Sequence, residues 1–177
     1  MKQQFTKSTI LWQLALSLTL LISSSLSMAV STDPSGGKNY TTKDKEYYLT
    51  ADELLFIRPG LDLEVIDILI PVDLRPLVTF SIKDPGGLPL DINGVYTPGP
   101  VDMRFTLTYI PQGEEQKVRL TIDTADAGGT FTALGDGVYT YKFSTILPDT
   151  YDPDATHTLG AAGRRDLREF GLERYSD

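Results

Sequence analysis

The chain has 177 residues, 41% of them hydrophobic, which suits one folded domain with short appendages and is too apolar for a disordered protein. It carries 16 Lys and Arg against 24 Asp and Glu, a net charge of −8, and such acidity repels phosphate backbones, so nucleic acid is not an expected partner. It has no cysteine, which excludes disulfides, thioether-linked haem and thiolate metal sites within the chain itself.

The first 29 residues read as a secretory signal peptide. Lys2 and Lys7 precede an apolar run from Ile10 to Ile22, and Ser27-Met28-Ala29 supplies small residues for cleavage after Ala29. The run is short for a membrane span, so none is expected after cleavage. Removing it takes away Trp12, the only tryptophan. It leaves 14 basic against 24 acidic residues, a net charge of −10 on the exported chain. Residues 30–47 are polar, with Pro, Gly and Lys, and read as an exposed linker to a folded part beginning near Tyr48.

From there the period is two. In LDLEVIDILI, Leu61, Leu63 and Val65 share one face and Ile66, Ile68 and Ile70 the other, a phase flip that predicts a β-bulge or a strand changing sheets. Val78, Phe80 and Ile82 alternate with Thr79, Ser81 and Lys83. Met103, Phe105, Leu107 and Tyr109 alternate with Arg104, Thr106 and Thr108, and Val118, Leu120 and Ile122 with Arg119, Thr121 and Asp123. Side chains that leave a strand on opposite faces produce this pattern when one face is buried. Turn signals separate the runs: Arg58-Pro59-Gly60, Asp84-Pro85-Gly86-Gly87, Asp91-Ile92-Asn93-Gly94, Pro98-Gly99-Pro100, Gly128-Gly129 and Gly135-Asp136-Gly137. Tyr139, Tyr141 and Phe143 line one strand face, an acidic turn follows, and His157, Leu159 and Ala161 share a face of a returning strand, so 135–160 reads as a last hairpin. The prediction is an all-β domain over 48–165, a Greek-key sandwich or split barrel of immunoglobulin-like architecture, with 166–177 as a tail leading towards a separate partner domain.

Chemistry is sparse. His157 has no second histidine, no cysteine and no Gly-x-Ser-x-Gly nucleophile to work with, and reads as a hydrogen-bonded strand residue. Asp149, Asp152 and Asp154 lack the ordered ligand spacing of a calcium loop and read as a solvated turn. Glu114 and Glu115 have no partner carboxylate legible in the sequence, and the glycine pairs open no helix that would cradle a phosphate. Tyr139 and Tyr141 offer a ring-stacking platform, with core packing as the commoner use of strand aromatics. No catalytic, cofactor-binding or metal residue is assigned, and the chain is not expected to be an enzyme.

From about Tyr48 onward the sequence resembles the non-haem amino-terminal β-domain of the OmcA/MtrC-type decahaem c-type cytochromes of the bacterial cell surface. The resemblance is carried by LTADELLFIRPGLDLEVIDILIP, read as an opening strand, by the RPLVTFSIKDPGGLPLD hairpin, by GGTFTAL, and above all by GDGVYTYKFSTILPDTYDPDATHTLGAAGRR. It implies a β-domain that packs against haem-bearing domains on the path of electrons out of the cell. The family's Cys-x-x-Cys-His motifs are missing here. The expectation is therefore an exported, non-catalytic accessory domain whose c-type haem lies in an adjoining domain or partner cytochrome, with other cell-envelope proteins as further partners. The other expectation is a stand-alone immunoglobulin-like surface module that binds a ligand such as carbohydrate.

Overall fold

The computed structural model describes residues 37–110, 113, 115, 118–124, 128–149 and 151–177, with only the backbone of 118–124. The signal segment, the linker before residue 37 and Glu114 lie outside the described residues.

The stretch read as an opening strand begins with a helix instead. Helix α1 spans Ala51–Ile57 because Thr50 and Glu53 form a capping box: the Glu53 N–H donates to Thr50 Oγ1 at 3.2 Å and the Thr50 N–H donates to Glu53 Oε2 at 2.7 Å. The pattern Thr-x-x-Glu before Leu54-Leu55 was the overlooked signal. Arg58 ends the helix in the left-handed region at φ 50°, and Pro59-Gly60 prevents its continuation.

Eight strands follow: β1 (Asp62–Leu69), β2 (Leu77–Lys83), β3 (Val101–Ile110), β4 (Val118–Thr124), β5 (Thr130–Gly135), β6 (Val138–Lys142), β7 (Thr156–Asp166) and β8 (Arg174–Ser176). They form two antiparallel sheets, ordered β1-β2-β6-β5 and β4-β3-β7-β8. The two sheets make the all-β sandwich that the alternation and turn spacing predicted, and their strand order is that of an immunoglobulin-like sandwich. The β5–β6 connection is a two-residue turn in which Asp136 (φ 50°) and Gly137 (φ 73°) both take positive φ, the geometry a tight hairpin requires.

The phase flip in β1 is a bulge. Register against β2 shifts between Val65, opposite Phe80, and Asp67, opposite Thr79. The extra residue keeps Ile68, opposite Val78, on the face that Val65 occupies, because Phe80 and Val78 both point into the core.

The sheets meet through aromatic rings. Phe105 on β3 packs at 5.4 Å from Phe80, 5.1 Å from Tyr141 and 6.0 Å from Phe143, between ring centroids. Around it Val78, Ile82, Val101 and Met103 are buried, so the alternation read from the sequence identified the core face correctly. Burying this cluster supplies, for a domain without disulfides, about 1.5 to 3 kcal/mol per large side chain.

Two connections differ from expectation. β6 and β7 are not a hairpin: β6 lies beside β2 and β5, β7 beside β3 and β8, and residues 143–155 cross from one sheet to the other. Each strand alternates correctly, but alternation carries no information about which neighbour a strand selects. Residues 166–177, read as a tail, fold back onto the domain. Leu167 and Leu172 bury against Ile57, and β8 pairs with the end of β7. Part of the expected linker is engaged as well: the Tyr175 hydroxyl donates to Glu46, which lies in a 3-10 turn spanning Lys45–Tyr48.

Candidate functional site

The inner face of β7 carries His157, Leu159, Ala161, Gly163 and Arg165 in strict alternation, and its two ends differ in kind. His157 sits opposite Tyr109, beyond the last fully buried residue of β3, with ring centroids 6.2 Å from Tyr109 and 5.0 Å from Tyr151. Its Nε2 is buried without a hydrogen-bond partner among the described residues. The expected hydrogen-bonded imidazole is thus one packed between tyrosine rings. Asp149, Asp152 and Asp154 are exposed, and Asp152 Oδ1 accepts the Asp154 N–H at 2.9 Å to shape the turn. Glu115 is exposed. Among the described residues no group of three His, Cys, Asp or Glu is close enough to hold a metal. Tyr139 and Tyr141 are only 7% and 0% exposed, so they form core, and the stacking platform does not exist. The Tyr139 hydroxyl donates to Leu90 O at 3.1 Å and accepts the Ile92 N–H at 3.2 Å, tying β6 to the loop after β2.

Arg165, at the other end, was quoted in the sequence only as part of a longer block. Its side chain is 0% exposed, and every N–H of the guanidinium is used. Nε and Nη2 donate to Pro98 O at 3.0 and 2.6 Å. Nη1 donates to Arg58 O at 2.6 Å and Gly60 O at 2.9 Å, and Nη2 also reaches Ile57 O at 2.7 Å. The acceptors at 57, 58 and 60 are carbonyls at and just past the C-terminus of α1, which no intrahelical donor can reach and toward which the helix dipole draws a cation. Burial, and secondarily the neighbouring Arg58 charge, lower the Arg165 pKa from 12.5 to about 10, with Asp84 opposing, so the group stays charged at neutral pH. Asp84 is itself buried. It binds Arg58 Nη1 at 2.9 Å through Oδ2 and accepts the Leu88 N–H at 2.9 Å through Oδ1. The cluster therefore fastens four segments, α1, the 84–89 turn, the 98–100 turn and β7, and keeps no donor of Arg165 for a ligand. The signal available in the sequence was parity: Arg165 falls in phase with the apolar positions of its strand.

The surface offers shallow grooves. Two, of about 320 and 290 Å3, lie on the outer face of the second sheet and share Asp102 and Arg164, which stand opposite each other on β3 and β7. A third, of about 350 Å3, lies between Lys43–Glu46 and Glu173–Ser176. Asp166, bordering one of them, is held far below the usual carboxylate range, first by the hydrogen bonds from the Arg168 side chain and also by Arg174. The grooves carry mixed charge and no nucleophile–base pair among the described residues.

No protein-family profile and no curated protein matches the chain. Among solved structures it is similar to the crystal structure of MtrC from Shewanella baltica OS185, at 24% identity and a TM-score of 0.47, over 60% of this chain and 18% of that one. It is similar to the outer membrane decaheme cytochrome OmcA at 15% identity and a TM-score of 0.45, over 67% of this chain and 22% of that one. A superoxide reductase (neelaredoxin) from Archaeoglobus fulgidus follows at 14% identity and a TM-score of 0.25, over 75% of this chain and 94% of that one. The chain thus spans about a fifth of the length of either cytochrome.

Proposed function

We propose that this chain is a haem-free accessory β-domain of an exported multihaem cytochrome used in extracellular electron transfer, and that it scaffolds rather than catalyses. The observation that carries the reading is the block from Gly135 to Arg165, which resembles the non-haem domain of that cytochrome family. In the fold this block is β6, the crossing between sheets and β7. Its aromatic residues form the inter-sheet core and its last arginine fastens the helix, so the residues of the resemblance are those that hold the domain together.

The chain has one histidine and no cysteine and so cannot attach a c-type haem covalently. In this reading the haem belongs to an adjoining domain or a separate subunit, and the β-domain supplies a rigid, acidic flank to it. Reading the DNA downstream of the Asp177 codon and in the neighbouring genes tests the proposal. Cys-x-x-Cys-His codons are expected there, and their absence would overturn it. As a second check, the purified chain mixed with a haem-bearing domain encoded there should co-elute with it in gel filtration, and separate elution counts against the reading.

A further inference from the structure

β1 is an edge strand with an unfinished inner face. Leu61 and Leu63, at its start, pack on the main core beside Gly163, whose missing side chain leaves room for them. Past the bulge the cover stops. Val65 and Ile68 point to the core side yet are 39% and 37% exposed, and Ile66, Leu69 and Val72 are exposed beside them. Among the described residues the backbone on the outer side has no strand partner. Leu63 is served there among the described residues, its N–H donating to Asp177 Oδ2 at 2.7 Å. Asp62, Glu64 and Asp67 lie exposed along the same strand, and none has a hydrogen-bond or ion-pair partner among the described residues. β1 has no Lys or Arg, the residues that most often protect a free edge.

We propose that the arm of β1 from Ile66 to Leu69 is a docking edge for a short extended segment of another protein in which basic and apolar side chains alternate. Such a segment completes the ladder through its backbone, covers Val65 and Ile68 on one face and pairs its cations with Asp67 and Glu64 on the other. A second copy of this chain is a poor occupant, because two β1 strands side by side bring the carboxylates of one outer face against those of the other with no cation between them. The capped N–H of Leu63 sets the limit of the incoming strand, which reaches back across the bulge to Glu64 and has room for about four to six residues, given a rise of about 3.3 Å per residue.

Hydrogen exchange on the isotopically labelled full chain tests this, with two synthetic heptapeptides as probes, one alternating lysine and valine, the other glutamate and valine. The lysine peptide should slow exchange of amides within 66–69 by about tenfold or more, and the glutamate peptide should not. Asp67→Lys should weaken the lysine peptide at least tenfold, while Ile68→Ser, a milder change at an already exposed position, should weaken it with the melting temperature nearly unchanged. The proposal is overturned if neither peptide protects these amides, if both do so equally, or if protection maps elsewhere. It is also overturned if sedimentation shows the chain dimerising through β1, with Ile68→Ser abolishing the dimer, since the edge then serves a second copy.

Discussion

The two ends of β7 make opposite use of a polar side chain on the same buried face. At its start, His157 places Nε2 away from water with nothing to bond among the described residues, and is held by the rings of Tyr109 and Tyr151. At its finish, Arg165 spends all five N–H groups on backbone carbonyls from two separate segments, the end of α1 at 57–60 and the turn at Pro98. The histidine is the residue a search for chemistry selects first, because it is unique in the sequence. The arginine is the residue on which the architecture depends. A buried polar group organises a fold in proportion to the partners it satisfies, since each group left bare costs about 1 to 3 kcal/mol.

The sharpest way to break this contrast is at the arginine. Arg165→Met keeps most of the volume but leaves the carbonyls of Ile57, Arg58, Gly60 and Pro98 without those donors, and should cost about 3 to 5 kcal/mol, read as a drop in chemical-denaturation midpoint or a failure to fold. Arg165→Lys should recover only part, because three donors on one nitrogen cannot span four carbonyls. An Arg165→Met protein as stable as the parent would remove the cluster's claimed role.

Midway along the same face, Gly163→Val should cost about 1 to 3 kcal/mol by overpacking. Even a bare Cβ there would come within 2.9 Å of Leu61 Cδ2 and 3.3 Å of Met103 Sδ. The loss should appear first as faster amide exchange in β1, since Leu61 leads into that strand.

A smaller effect is expected in the loop that leads to Pro98. Burial pushes the Asp91 carboxyl up, but N–H donors from Tyr96, Asn93 and Val95 outweigh it, and its pKa lies below the usual value. A carboxylate with a lowered folded-state pKa stabilises above its unfolded pKa, about 3.9, and loses that contribution as pH falls through the folded value. Asp91→Ala should therefore cost about 1 to 2 kcal/mol near pH 7, and the gap to the parent should close as pH falls below the unfolded value and through the lowered folded one. A gap independent of pH would mean that the carboxylate's charge is not what the loop uses.

The smallest effect is predicted at the other end of the strand. His157→Phe removes a bare buried nitrogen and keeps a ring between the two tyrosines, so stability should change by less than about 1 kcal/mol or rise slightly. A loss above about 2 kcal/mol would show that the imidazole has a partner after all, and would make the two ends of β7 alike.

Legibility followed the range of the physics. The alternation at Val78, Phe80 and Ile82 and at Met103, Phe105 and Leu107 identified the core faces, because a strand's period is local. The flip between Val65 and Ile66 predicted a bulge or a change of sheet, and a bulge lies at that place. The capping box of α1 was equally local, and was missed only because the strand pattern that follows it dominates the reading. The sheet assignment of β6 and β7 and the return of residues 167–176 onto Ile57 were not legible, since pairing partners lie far apart in sequence.

By itself, then, the sequence determined a cysteine-free, acidic β-domain, the facing of most of its strands and the tight turn at Asp136-Gly137, because those properties reside in neighbouring residues. Only the tertiary structure decided that Arg165 is a fastening, that Tyr139 and Tyr141 are core and that β1 stays uncovered past its bulge. Each of these depends on which distant carbonyl, ring or sheet arrives opposite a side chain, and the assembled fold alone sets that.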